Sequence, residues 1–507
     1  MRLSVFSNAV ANAVGRFWSA GLQFVFVPVY VKLLGPEEYG LVGFYTTLLL
    51  SLTFLDLCIS PVLGREFGRL AERQDSANRM RNLLRSMEMI SLGMAAFVSA
   101  IVVCSAPWLA THWIHSGSLP VEEVTDAIRL MGLVIACQWL TSLYGSGFAG
   151  LHRQDLATKI RVFITTFQWV GAAAILWLVF PSVNLLLIWQ ALTFLSLTFW
   201  LRRDLWRIMP IGNSPRFDVG FLRSTWRFSL GNLMIGLTSS LLTQTDKWII
   251  SKYVPLDQFS AYVLTFTMVS PITILVALPA GSAVFPLFSR LCAIGDNKNL
   301  SIEYHRWSQL VAAFSLPMVG ALLTFGDSFS NLWLHSNSKL VSDLIVILPW
   351  VLLGTLFNTL MMVPYFLQVA SGWVRLSIYK NIFLLFLFVP TLIFAVPKYG
   401  AIVGGWCWLA INVGYYFVEI PIMHRRLLKN EMWSWWVIDT FIPALITAVV
   451  FSAANYIFPK NLSSWFSVFF AFLASVVDLL VILLVLPFTR SIVIEKIKGL
   501  MFSGGVK

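Results

Sequence analysis

The sequence predicts an all-α polytopic membrane protein of about fourteen transmembrane helices, in two six-helix lobes related by pseudo-two-fold symmetry plus a terminal helix pair. Three observations carry that prediction: a composition too apolar for water, apolar runs of bilayer length, and an internal repeat. Apolar residues make up 58% of the chain and charged residues 12%, where soluble domains hold roughly a quarter charged residues. Mean hydropathy is +0.78. Crossing a hydrocarbon core takes about 20 residues of helix, and runs of that length fill nearly the whole sequence. In lipid only helices or closed barrels satisfy the backbone, and long runs without two-residue alternation select helices.

The expected spans lie near 8–31, 41–63, 87–110, 128–150, 160–180, 184–201, 228–250, 259–286, 308–326, 343–369, 381–397, 401–422, 435–457 and 465–487. No strongly basic segment with a small-residue cleavage site opens the chain, so the first span is expected to stay in the mature protein. Basic residues orient the spans. With the N-terminus cytoplasmic, inside segments hold 28 of the 36 Lys and Arg, six of them Arg between 65 and 85. Outer loops or their edges hold Lys32, Arg129, Lys252, Lys339, Lys398 and Lys460, and only Arg16 and Lys247 lie inside spans. The bias puts both termini in the cytoplasm. It also accounts for the net charge of +12, so nucleic acid is not needed as a partner.

No catalytic, cofactor or metal motif stands out. Cys58, Cys104, Cys137, Cys292 and Cys407 lie within or at the ends of spans with no CxxC, which argues against a disulfide framework or zinc site. His112 and His115 share an outer loop without further ligands nearby, and no GxxxxGK[ST] phosphate loop occurs.

A shift of about 220 residues lays the opening stretch on the middle of the chain. Asn12 then meets Asn232, Ser19 meets Ser239, Gln23 meets Thr243 and Lys32 meets Lys252, and "EEYG" after Pro36 meets "DQFS". Six spans per copy is an even number, so both copies enter the membrane in one direction, with a symmetry axis along the membrane normal and a substrate path at their interface. The expected divisions are an N-lobe at 1–215 (helices 1–6), a C-lobe at 216–430 (helices 7–12) and additional helices 13 and 14 with a cytoplasmic tail at 431–507.

Both copies open on a polar stripe. On a helix wheel Asn8, Asn12, Arg16, Ser19 and Gln23 fall within about 80° of one another. Asn232, Ser239, Ser240, Thr243, Asp246 and Lys247 occupy a sector of about 120° in the second copy. An Arg near the centre of a span costs about 2.5–3.5 kcal/mol against lipid, so the stripe must meet protein or water. Singly, such residues serve as interhelical glue; paired at matching positions of a repeat, they point to a polar central cavity. The first copy offers Arg16 without an acidic residue in its span and the second sets Lys247 beside Asp246, so the bias favours an anion. Asp56, Glu419 and Asp439 lie near span ends and are expected to reach interfacial water. Asp478 lies deeper in the final span and is the candidate ion or proton site. Trp108, Trp113, Trp333, Trp433 and Trp465 read as an interfacial belt.

"VPVYVKLLGPEEYGLVGFYTTLLLSLTFLDLCISPVLGREFGRL" and "FSLGNLMIGLTSSLLTQTDKWIISKYVPLDQFSAY" resemble the first two spans and the seventh span of bacterial polysaccharide flippases, O-antigen flippases included. These belong to the multidrug, oligosaccharidyl-lipid and polysaccharide exporter superfamily. The resemblance covers about the first 430 residues, strongest at 12–69 and 228–290, and departs where Asp56, Leu57 and Cys58 replace a frequent Asp-x-Gly. It implies two lobes in a V around a central cavity, in the inner membrane. It also implies passage of a polyisoprenyl-pyrophosphate-linked oligosaccharide, the repeat unit of O-antigen or another surface polysaccharide, to the outer leaflet by alternating access. The related lipid II flippases suggest a lipid-tail groove at the last two helices. Polysaccharide polymerase and chain-length machinery are the implied protein partners, and no enzymatic step is implied. A multidrug or cation antiporter of the same superfamily is the alternative, and a membrane-embedded glycosyltransferase or polymerase a further one. The antiporter would want an acidic lumen site where this chain has Arg16, and the enzyme would want larger outer loops.

Overall fold

The computed structural model describes residues 2–56, 59–71, 77–335, 338–373, 375–458 and 463–491, with the backbone alone at 2–13, 219, 221–232, 235, 338, 375, 377 and 378. Among the described residues eleven helices are long and apolar enough to cross a membrane. The first of them holds two spans, and expected spans seven and twelve are the helical runs Val219–Tyr253 and 402–427, so each of the fourteen expected spans has its helix. The chain divides into two compact units, Met1–Val263 with Asn381–Gly400, and Leu264–Lys380 with Ala401–Lys507.

In the first unit α1 (Arg2–Asp56) turns at Gly35, where φ is 82° and ψ 168°. Glycine alone adopts that conformation without strain, and Pro36 then restarts the helix. The acidic pair after Pro36 is structural. Glu37 accepts from the backbone N–H of Ser118 at 3.0 Å. Glu38 accepts from Val183 N–H at 2.6 Å, at the start of the sixth span, where a carboxylate meets the positive end of a helix. There follow α2 (Ser60–Leu70), α3 (Ala77–His112), α4 (Val121–Gly150), α5 (Gln154–Leu178), α6 (Val183–Ile208) and α7 (Val219–Tyr253). α4 is the hub, packed on α2, α3 and α6, while α1 packs on α5 and α7. Leu63, Phe67, Leu84, Tyr144, Phe148 and Leu205 knit the hub into one core. The approach is close because a Cβ on Gly150 would sit 2.5 Å from the Gly64 carbonyl, the small-residue contact that lets membrane helices touch.

Next come α8 (Leu256–Ile272), α9 (Leu278–Ile294), α10 (Asn297–Leu334), α11 (Ser338–Leu360), α12 (Met362–Ala370) and α13 (Arg375–Tyr399). α14 (Ile402–Gly414), α15 (Ile420–Leu427), α16 (Met432–Ser434), α17 (Ile442–Ile457) and α18 (Ser464–Val485) complete the chain. A π-helical turn at Thr273–Ala277 joins α8 to α9. It falls between Pro271 and Pro279, whose missing N–H groups disrupt the regular ladder. The second unit repeats the pairing order of the first: α10 packs on α11 as α3 does on α4, and α11 on α14 as α4 does on α6. The terminal pair, α17 and α18, packs on α10. Gly320 makes room there, since a Cβ would come within 2.4 Å of Phe451.

The carboxylates expected to reach interfacial water do not do so. Asp56 accepts from Ser60 and Ser142 hydroxyls at 2.5 Å each. Glu419 is buried and accepts from Lys380 Nζ at 2.6 Å and Gln368 Nε2 at 2.8 Å. Asp439 is fully buried, 2.5 Å from His305 Nδ1 and 2.9 Å from Gln309 Nε2. Donors on neighbouring helices hold each one, which position along a single span cannot reveal. The tryptophans divide likewise: Trp108, Trp433 and Trp465 are exposed, but Trp333 is buried and Trp113 donates to Ser251.

Candidate functional site

The stripe residues fall into three groups. Asn8, Asn12 and Asn232 lie on α1 and α7, but their side chains are outside the described residues. Arg16, Ser239 and Thr243 are exposed and Ser19 and Gln23 half-buried, while Asp246 is buried and Lys247 nearly so. Two hydroxyls are turned inward, Ser19 donating to the Gly15 carbonyl at 2.9 Å and Thr243 to the Ser239 carbonyl at 3.0 Å. Such back-bonding satisfies a hydroxyl in a span while its oxygen can still accept.

Arg16 is positioned by close helix packing. A Cβ on Gly15 would lie 2.7 Å from Thr158 Cγ2, so α1 presses directly on α5 there. Trp18 Nε1 fixes the same contact one turn on by donating to Thr166 Oγ1 at 2.8 Å. The packing brings the Arg16 charge to bear on Arg161 of α5. Among the described residues no carboxylate forms an ion pair with Arg16. Like charges repel, and an anionic group that reached both guanidinium groups would replace that repulsion by charge-assisted hydrogen bonds. Arg161, at the edge of the expected span 160–180, lies seven residues into α5 and so within a membrane-crossing helix.

The cation of the α7 stripe has a different fate. Lys247 Nζ lies 3.2 Å from Asp246 Oδ2 and donates to the Thr243 carbonyl at 3.1 Å. Tyr262 of α8 donates to the same Asp246 oxygen at 2.6 Å. α7 is itself fastened to α1 beyond the Gly35 bend, where Trp248 Nε1 donates to Ser51 Oγ at 2.7 Å and Ser240 to the Ser51 carbonyl at 2.9 Å. Ser240 and Asp246 thus tie α7 to other helices and Lys247 is paired within α7, leaving Ser239 and Thr243 as the described exposed part of the second stripe.

Asp478, the candidate ion or proton site, is fully buried. It accepts from Thr447 Oγ1 at 2.7 Å, and its Oδ1 has no hydrogen-bond partner among the described residues. A carboxylate that no motif marks, Glu88 of α3, is 1% exposed and gathers donors from two neighbouring helices. Tyr144, Arg202 and Trp206 donate to its Oε1 at 2.9, 3.1 and 2.8 Å.

Residues 29–337, more than half of the chain, match the family described as polysaccharide biosynthesis protein. The chain belongs to that family. A Shigella flexneri relative, named as a candidate O-antigen transporter, is 21% identical over 416 residues, which is 80% of this chain and 94% of that one. Among solved structures, the lipid II flippase MurJ in an inward closed conformation superposes with a TM-score of 0.72 at 14% identity, covering 96% of this chain and 100% of MurJ. An inward-facing multidrug resistance MATE transporter of the MOP superfamily superposes with a TM-score of 0.67 at 14% identity, covering 82% of this chain and 99% of that one. This member of the polysaccharide biosynthesis protein family therefore has the MurJ- and MATE-like transporter fold.

Proposed function

We propose that the protein is a flippase that carries a polyisoprenyl-pyrophosphate-linked oligosaccharide, the repeat unit of O-antigen or another surface polysaccharide, from the cytoplasmic to the outer leaflet of a bacterial inner membrane. The observation that carries this reading is Arg16, exposed within a span, within electrostatic reach of Arg161 and without a described carboxylate partner. A pyrophosphate offers the paired oxygens that planar guanidinium groups grip, and Ser19, Gln23, Ser239 and Thr243 offer hydrogen bonds to sugars. The lipid tail stays in the bilayer while the head group crosses, as lobes at 1–215 and 216–430 rock between inward-open and outward-open states.

A cation antiporter on the same fold would want an open acidic site, whereas Asp246 is closed by Lys247 and Tyr262. The test is the rate of glycolipid translocation in vesicles holding equal amounts of folded wild-type, Arg16→Gln and Arg16→Lys protein. A steep loss in Arg16→Gln with partial rescue by Lys supports the proposal, and equal rates for all three sink it. Reporters fused after Ser86 or Phe502 are expected in the cytoplasm and one after Ser116 outside.

A further inference from the structure

At the end of the first unit where α3 begins and α6 finishes, a cavity of about 570 Å³ is lined by Arg81, Arg85, Arg202, Arg203, Phe199 and Trp206. Two of these four guanidinium groups pair with one buried carboxylate, Glu88. Its two oxygens hold Arg202 at 3.1 Å and Arg85 at 3.4 Å. Each of those arginines uses one N–H group on Glu88, and both side chains remain more than two-fifths exposed. A guanidinium carries five N–H donors, so Glu88 leaves donors of both available in the cavity they line. Arg81 is fixed as well, donating from Nε to the Asn213 carbonyl at 3.2 Å and standing 5.3 Å above the Trp206 ring. The cluster is thus a rigid cationic cup built on a buried carboxylate.

Two apolar stripes lead out of the cup into the depth of the membrane. On α3, Arg81 and Arg85 are followed at helical spacing by Met89 and Leu92, 48% and 51% exposed. On α6, Leu192, Leu195 and Phe199 share a face and are 52%, 50% and 61% exposed, and that face ends at Arg203 and Trp206. α4, packed on both helices, floors the space between them. Positive charge at the water level with apolar walls running inward matches a molecule with a phosphate head and acyl chains, and basic pockets between membrane helices are suited to such headgroups.

We propose that this groove binds the phosphate headgroup of an anionic glycerophospholipid of the bilayer, its acyl chains lying along α3 and α6. The site is separate from the Arg16 stripe and does not depend on which substrate is carried. Full-length protein equilibrated with equal concentrations of phosphatidylglycerol and phosphatidylcholine, then analysed by native mass spectrometry, is expected to retain phosphatidylglycerol selectively. Arg85→Gln with Arg203→Gln removes two cationic contacts and is expected to lower that retention about ten- to thirty-fold. Arg207→Gln, one turn along α6 and outside the cavity lining, is the control and should match wild type. If the double variant melts early, Arg203→Glu alone, which leaves Glu88 and its donors in place, should produce the same loss. Equal retention of the two lipids, or unchanged retention in the folded variants, would overturn the proposal. So would displacement of phosphatidylglycerol by an equal concentration of inorganic pyrophosphate, which would point to free phosphate, or by polyisoprenyl pyrophosphate, which would assign the groove to the carried lipid.

Discussion

α1 and α7 open the two copies of the repeat with stripes of the same residue types, yet their charges end in opposite conditions. On α1, Arg16 is exposed and set near a second arginine. On α7, Lys247 is closed onto Asp246, which Tyr262 holds from α8. Each stripe holds a cation within a span, and the one on α1 is exposed while the one on α7 is paired. A charge in a span is costly unless its neighbours neutralise it, and on α7 they do.

The largest effect should come from breaking the tie. Asp246→Ala leaves Lys247 with its carboxylate removed and Tyr262 without its acceptor, which should destabilise the protein by about 3–5 kcal/mol. Thermal unfolding in detergent measures it, and wild-type stability would mean that α7 carries a free charge after all. Next is Arg16→Gln, which should leave that unfolding temperature unchanged or raised. It removes a charge-assisted contact worth about 1.5–3 kcal/mol, so translocation should fall roughly ten- to a hundred-fold. A drop in stability equal to that of Asp246→Ala would erase the contrast between the helices.

Gly15→Ala sharpens the same contrast through packing. The new methyl meets Thr158 Cγ2 at 2.7 Å, and such overpacking costs about 1–3 kcal/mol as α1 moves off α5. Thr158→Ser in the same chain should restore stability and translocation together; failure of that rescue would mean that the Gly15 contact does not position Arg16. The smallest effect is expected from Thr243→Ala. Its hydroxyl is bonded to its own helix, so stability should change by less than about 1 kcal/mol. A ten-fold loss of translocation would promote Thr243 to a principal sugar contact.

The legible part of the site was the helix face. Helical spacing groups Arg16 with Ser19 and Gln23, and Thr243 with Ser239, because residues on one face repeat with the helix period. What each side chain meets could not be read there. Arg161 is brought toward Arg16 by the packing of α5 on α1, and Asp246 is paired by Tyr262 from another helix. Glu88 gave no warning at all, since its donors Tyr144 and Arg202 are distant in sequence.

The sequence by itself determined the class, the spans and the duplication, because bilayer thickness and backbone satisfaction act along the chain. Tertiary structure alone decided which intramembrane charges are spent. Glu419 and Asp439 became buried acceptors, Asp56 a half-buried one, and Asp246 was paired, while Arg16 was left exposed. The physical reason is that the energy of a charge in a low-dielectric interior is set by the groups within a few ångströms of it, and those groups come from helices that the order of residues does not place side by side.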